Sequence, residues 1–148
     1  MDVPDYADRF TADRPPDPRT AEAWMRSALE GAPAAARAFV RFGWRAVLGF
    51  RLGPAHSPAH ILGWPIAHAT PGEIVLRQRS ALLTAQLTLR VTGTRLEWTT
   101  HVRYDHRAAR AIWSVARLVH VLVVPYVLRR VTSRSGPGAP PPPRPPGR

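Results

Sequence analysis

The side chains able to do chemistry are few: six histidines, ten carboxylates, no cysteine and an exclusively arginine set of 21 cations in 148 residues. Thiolate chemistry and disulfides are excluded. No Gly-rich phosphate loop, Gly-x-Ser-x-Gly elbow or His-Glu-x-x-His helix occurs. His56 and His60 lie four apart, but Pro58 stands between them, so helical metal-ligand geometry is not expected. With only three acids after residue 30, neither a metal site nor a cofactor is predicted. His120 stands out, because it lies within a long apolar stretch. A neutral imidazole in an apolar cavity could act as a general base or donate a hydrogen bond to a ligand carbonyl. The competing and commoner case is a structural histidine bonded to a backbone carbonyl or to the region of Trp98 and Tyr104.

Other candidates gather near it in sequence pattern. Tyr104 is the second group that could handle a proton. Trp98, Tyr104 and Trp113 could form an aromatic cluster at one end of a cavity, able to stack on a planar ligand. Gln78, Ser80 and Thr100 are polar members of otherwise apolar rows, and each needs a partner if buried. Tyr6 and Asp8 carry no reading beyond strand and loop.

The elements that would position these residues follow from periodicity. From Glu73 onward the apolar period is 2. Leu83, Ala85, Leu87, Leu89 and Val91 alternate with Thr84, Gln86, Thr88 and Arg90. After a turn at 92–94, Leu96, Trp98, Thr100, Val102 and Tyr104 alternate with Glu97, Thr99, His101 and Arg103. This predicts an antiparallel sheet with one apolar and one wet face. Ile61–Ala69 reads as one strand, with Pro65 at an edge or bulge, and four or five meander strands are visible in all. Tyr6–Thr11 is a short strand. A helix over 20–30 is capped by Thr20, and a second helix follows Pro33. Its Arg37, Arg41 and Arg45 form one solvated stripe, and Gly43 weakens it.

Asp105 to Ser133 predicts a long helix with Asp105 as N-cap, placed to cover the sheet. At roughly 100° per residue, Ile112, Val115, Ala116, Val119, Leu122, Val123, Tyr126 and Val127 share its apolar face. Trp113, His120 and Val124 fall on one border, and Arg110, Ser114 and Arg117 lie opposite with Ala111, Leu118 and Val121. Pro125 is expected to kink it.

The charge is uneven. Residues 1–30 hold seven acids and four Arg, whereas 31–148 hold three acids and 17 Arg. Genome composition accounts for an all-arginine set at least as well as an anionic partner does. Residues 136–148 hold seven prolines and predict a disordered or polyproline tail, so the division is one folded domain over 1–133 and a tail over 134–148. The longest nearly uncharged run, Leu118 to Leu128, is short of the roughly 20 residues a bilayer span needs. The start has no basic or long apolar segment, which makes the cytoplasm the expected location.

The order short strand, two helices, antiparallel meander, long C-terminal helix resembles the START/polyketide-cyclase-like helix-grip superfamily (SRPBCC), in an actinobacterial-type branch. The residues that carry the resemblance are Asp5-Tyr6-Ala7-Asp8, Arg19-Thr20-Ala21-Glu22-Ala23-Trp24, Arg41 to Gly53, Leu62-Gly-Trp64, Leu83 to Val91, Ile112-Trp113 and Val119-His120. The resemblance implies an α+β helix-grip fold: a curved antiparallel sheet around the long C-terminal helix, with two shorter helices near the N-terminus. It also implies a hydrophobic cavity between sheet and helix.

The first expectation is therefore binding of a lipid or polyketide-like small molecule by Gln78, Trp98, Thr100, Tyr104, Trp113 and His120. The second is a cyclase or dehydratase in the same cavity, with His120 or Tyr104 handling a proton. Whether turnover occurs, and whether the chain is a homodimer, stay open. Binding of nucleic acid or an anionic surface by Arg37, Arg41, Arg45, Arg77, Arg79, Arg90 and Arg103 ranks third, because the strand arginines lie opposite the aromatics and are not interleaved with them.

Overall fold

The computed structural model describes residues 3–15 and 17–134, with only the backbone of Arg134. The proline-rich tail expected beyond it lies outside the described residues. Seven antiparallel strands form one curved, open sheet: β1 (Tyr6–Asp13), β2 (His56–Ser57), β3 (His60–Ile61), β4 (Trp64–Thr70), β5 (Glu73–Arg79), β6 (Leu83–Thr92) and β7 (Arg95–Tyr104). Their order is β1-β7-β6-β5-β4-β3-β2, so the N-terminal strand closes onto the last one. The alternation of β6 and β7 resolves as expected, since Leu83, Ala85, Leu87, Leu89, Leu96, Trp98 and Val102 are all at most 5% exposed. The opposite face is polar but not wet throughout: Arg90 bonds Glu73 at 2.6 Å and Arg77 bonds the Gln86 amide oxygen at 2.9 Å, while Thr84 and Thr88, expected to be exposed, are buried.

The strand expected over Ile61–Ala69 is in fact two. The chain reverses between β3 and β4 at Leu62 and Gly63, with φ of +48° and +91°. Two consecutive positive φ angles match a mirror-image hairpin turn, whose twist suits paired strands. Leu62 is an uncommon residue there, which is why the turn was invisible in the sequence. The two-residue strands β2 and β3 account for the strand count above the expected four or five.

Helix α1 (Ala21–Leu29) starts at Thr20, whose hydroxyl accepts from the Ala23 amide at 3.2 Å. Its Trp24 and Met25 are fully buried beneath the strands from β3 to β6. Helix α2 (Ala34–Phe42) runs straight into a π-helical turn, Gly43–Val47, so the weak point at Gly43 appears as a change of helix type. The long helix α3 (Ala109–Arg134) begins later than expected. Asp105 does not cap it. The Asp105 carboxylate accepts from the Thr84 hydroxyl at 2.7 Å and from Arg103 at 3.1 Å, and it is His106 whose ring accepts from the Ala108 amide at 3.0 Å. The helix continues through Pro125.

The orientation of α3 is rotated from the sequence expectation, with Val127, Ile112, Ala116 and Val123 of the expected face in or against the core and the rest of that face exposed. Trp113, Val124, Val127, Leu128 and Val131 are at most 5% exposed, while Val115, Leu118 and Leu122 are 66%, 62% and 72% exposed. The expected border residues Trp113 and Val124 are thus the packed centre, resting on β1, β7 and α1, while Val115, Val119, Leu122 and Tyr126 of the expected face point outward. A helix apolar nearly all round gives no moment from which to read its buried side. The stretch Ala109–Ser133 is also long and apolar enough to cross a membrane by length and composition, and 22% of its most apolar window is buried. That corrects the sequence estimate based on the short run Leu118–Leu128, although one face of the helix belongs to the domain core.

Candidate functional site

A cavity of about 310 Å³ lies between the sheet, α3 and the α2–π-turn segment. Ala85 and Leu87 of β6 and Trp98 and Thr100 of β7 form its floor. One wall is the packed stripe of α3, from Trp113 through Ala116 and His120 to Val124. The other is Val40, Trp44, Leu48 and Phe50, completed by Trp64, with Trp44 and Phe50 each edge-on to Trp64 at 5.4 Å between centroids. The space exists because small side chains face one another: Ala85 interrupts a leucine row, Ala116 an otherwise bulky stripe, and Ala36 and Gly43 the opposing helix. The mouth carries exposed apolar groups, Phe39 and Phe42 on one side and Val115 and Tyr126 on the other.

His120 and Thr100 are the main polar side chains inside, and His120 is held by residues the sequence reading passed over. Tyr6, Asp8 and Phe10 alternate on β1, so all three point to the sheet's inner face. In the ladder Asp8 stands opposite Thr100, and Phe10 opposite Trp98. The Tyr6 hydroxyl donates to Asp8 Oδ2 at 2.6 Å, and His120 Nε2 meets the same oxygen at 2.8 Å. Both side chains of the His120–Asp8 pair are largely buried, at 14% and 13% exposure. Aromatic rings enclose the pair, with Trp113 5.4 Å and Phe10 6.4 Å from the imidazole and Tyr6 edge-on to Trp113 at 5.2 Å.

The electrostatics fix the roles of these atoms. Burial pushes the Asp8 carboxyl up, but hydrogen bonds from His120 and Tyr6 outweigh it, so the group is held below the usual carboxylate range; the Thr100 hydroxyl adds to the lowering. Burial, then the hydrogen bond to Asp8 and that carboxylate's charge, push the Tyr6 phenol well above its ordinary value. An ionised Asp8 is acceptor-only. His120 Nε2 therefore carries the proton, and Nδ1 of a neutral ring is left as an acceptor, with no hydrogen-bond partner among the described residues. A carboxylate behind an imidazole fixes its tautomer and orientation, as in base-assisted sites generally.

Of the six candidate ligand-contacting residues, the structure brings Trp98, Thr100, Trp113 and His120 to the cavity. Gln78 and Tyr104 do not line it. Gln78 is buried but satisfied, donating to the Arg51 carbonyl at 3.1 Å and accepting from the Arg79 amide at 3.1 Å, so it clamps the chain after the π turn. Tyr104 sits at the sheet's end, its amide bonded to Asp5 and its ring 5.8 Å from the Arg110 guanidinium. Trp98 spends its indole N–H on Thr100 at 3.2 Å. The signal that could have found Asp8 was an acid alternating with two aromatics, in a strand whose other face is polar. The His56 and His60 pair lies away from the cavity in the β2–β3 hairpin, where the Ser57 hydroxyl bonds the His60 ring at 2.8 Å. That ring lies over Gly53, where any Cβ would come within 2.5 Å of it. Among the described residues no three His, Asp or Glu side chains converge as a metal site requires.

The fold and cavity define an α+β domain whose antiparallel sheet and C-terminal helix enclose an apolar pocket with one oriented histidine. The chain belongs to the family described as proteins of unknown function (DUF2867), whose model matches residues 1–127. That match takes in β1, the cavity floor and His120. No curated protein and no solved structure matches the chain.

Proposed function

We propose that this protein binds a hydrophobic small molecule, of lipid or polyketide-like character, in the cavity between sheet, α2 and α3, as a helix-grip protein of the SRPBCC type would. The observation that carries the reading is the cavity itself: about 310 Å³ of nearly all-apolar lining with His120 Nδ1 as a free polar anchor. Ligand sites are concave and mostly apolar, with a few placed polar groups. The volume is about twice the roughly 150 Å³ that accommodates benzene, which suits a single acyl chain or a two-ring system. A ligand hydroxyl, enol or carboxylic acid O–H would give Nδ1 its donor.

Titration with lauric acid and with naphthol, read by the fluorescence of the cavity tryptophans, tests this directly. Saturable binding to the wild type and its loss in Ala85→Phe, which fills the floor, is the expected result. If neither probe binds, and mass spectrometry of protein incubated with a lipid and polyketide extract finds no retained compound, the pocket reading fails.

The second reading, a cyclase or dehydratase in the same cavity, is favoured by one feature: the Asp8–His120 pair. A binding site needs no carboxylate behind its histidine, whereas a general base gains from a fixed tautomer and a stabilised imidazolium. Positioned general bases contribute about 10²–10⁴ in rate, so any turnover of a poly-β-ketone analogue should fall at least about 100-fold in His120→Ala. Unchanged turnover would remove His120 from proton transfer.

A further inference from the structure

Large apolar residues that remain exposed are concentrated on one side of the molecule. Every one of them among the described residues except Val3 lies on α2, the π turn or α3. Phe39, Phe42, Val115 and Tyr126 ring the cavity mouth, and Leu118 and Leu122 extend the α3 stripe at helical spacing, at 62% and 72% exposure. The charge around this surface is of one sign. Neither Ala34–Val47 nor Ala109–Arg134 contains an Asp or Glu, yet they hold Arg37, Arg41 and Arg45, and Arg110, Arg117, Arg129 and Arg130 with described side chains. None of these seven has a carboxylate partner among the described residues, but Arg130 donates to the Gly31 carbonyl and Arg110 and Arg117 lie over the Tyr104 and Tyr6 rings, which leaves Arg37, Arg41, Arg45 and Arg129 for an outside anion. The ion-paired arginines, Arg9, Arg19, Arg26, Arg90, Arg95 and Arg103, all lie on other elements. Arg37 stands at the mouth itself, and Arg129 continues the Val115–Leu118–Leu122 stripe at its C-terminal end.

We propose that the α2–α3 face docks on an anionic lipid bilayer, with Phe39, Phe42, Leu118 and Leu122 entering the headgroup–acyl boundary and Arg37, Arg41, Arg45 and Arg129 meeting lipid phosphates. An apolar face flanked by arginine is the chemistry of an interfacial helix. α3 lies along the surface because its other face is committed to Trp113, Val124 and Leu128 in the core. A second copy of the chain is the poorer occupant: a two-fold contact sets a patch against itself, and here that would oppose two acid-free arginine sets. Nucleic acid is poorer too, because most of the exposed apolar side chains here, Val47, Val115, Leu118, Val119, Val121 and Leu122, are aliphatic and give bases no ring to stack on. Docking turns the cavity mouth toward the bilayer. The surface argument stands without the pocket, but uptake of a ligand from the membrane would rest on the proposed binding function.

Sedimentation of the full chain with vesicles of phosphatidylcholine alone, or mixed equally with phosphatidylglycerol, tests the proposal. Sedimentation with the anionic vesicles only, weakened by salt, is expected. Phe42→Ser and Leu122→Ser should each reduce vesicle affinity about tenfold or more, Arg129→Gln about fivefold, and Val3→Ser not at all. The cavity-filling Ala85→Phe should bind vesicles as the wild type does, which separates this outcome from failure of the pocket. Equal partition of wild type and both serine variants, or loss of binding through the arginine variant alone, would overturn apolar docking. So would a wild-type dimer, free of vesicles, that Leu122→Ser dissociates.

Discussion

Helices α1 and α2 are each nine residues long and follow one another with a short connection, yet they are held in opposite ways. α1 buries Ala21, Trp24, Met25, Ala28 and Leu29 and begins on a side-chain cap. Its Arg26 is fixed by Glu22 and Glu30 and by the carbonyls of Ser57 and His60 in the β2–β3 hairpin. α2 buries no residue, starts at Pro33 without a side-chain cap and has no acid near its arginines. Both are amphipathic. The difference is what lies beneath: α1 rests on the sheet, and α2 on a cavity. α3 repeats the contrast within one helix, with its sheet side packed and its outer stripe exposed. Amphipathicity therefore records that a face needs a partner, without saying whether that partner is protein.

The largest test of this contrast is a pair of truncations. Trp24→Ala on α1 should cost about 3–5 kcal/mol, the usual loss for a fully buried aromatic. Phe42→Ala on α2, at 68% exposure, should change stability by less than about 0.5 kcal/mol. Urea denaturation of both variants measures this, and comparable losses would mean that α2 is held as firmly as α1.

Next in size is the tie between β1 and α3. Asp8→Asn removes the charge that His120 and Tyr6 both address and should cost about 1–3 kcal/mol at neutral pH. The pH dependence has a definite sign. A carboxyl whose folded-state value lies below its unfolded value of about 3.9 contributes stability above that value and loses it as pH falls through the folded-state one. Wild-type stability should therefore drop below about pH 4 more steeply than that of Asp8→Asn, as followed by urea midpoints across the acid range. Parallel curves would detach Asp8 from the stability of this tie.

The sequence made the sheet legible because its code is strict. A period of 2 from Leu83 to Tyr104, with Thr and Arg between apolar residues, has one reading, and Thr20 before Glu22 and Trp24 marks a helix start just as plainly. α3 was legible as a helix but not in its rotation. Val115 and Leu122 are as apolar as Val124 and Leu128, so only the sheet decides which are buried. The site was half legible for the same reason. His120 was visible as a lone ionisable group in an apolar run. Its partner lies 112 residues away on β1, and the pairing depends on β1 joining β7 at the far edge of the sheet, which no local pattern states. Gln78 was singled out correctly as a polar residue needing a partner, but the partner proved to be the Arg51 carbonyl.

A ligand would sharpen the contrast between α1 and α2 without a substitution. The amides of α2 should exchange hydrogen faster than those of α1 in the free protein, because exposed, sparsely packed segments open locally at low cost. Saturating lauric acid should slow exchange in α2 and the π turn and leave α1 unchanged, read by mass spectrometry of peptic peptides. Equal slowing in both would mean that the ligand tightens the whole domain and does not fill the space under α2.

The smallest expected effect is the most local. Tyr6→Phe deletes one hydrogen bond to Asp8 and should cost about 0.5–1.5 kcal/mol, since the ring still packs edge-on to Trp113. Its value lies in a spectroscopic signature. A phenol that is buried and donates to a carboxylate must lose its proton beside an existing negative charge, so it resists ionisation beyond the ordinary tyrosine value of about 10. The sign for stability follows: the unfolded chain ionises Tyr6 first, so the folded state loses this contribution as pH rises above about 10. Phenolate absorbance in the near ultraviolet should show a late-ionising component in the wild type that Tyr6→Phe lacks. In Asp8→Asn the same component should move to lower pH, because the charge that opposes ionisation is gone. If the component stays put there, burial alone sets it, and the packed side of the cavity is held by apolar contact and not by the Tyr6–Asp8–His120 chain.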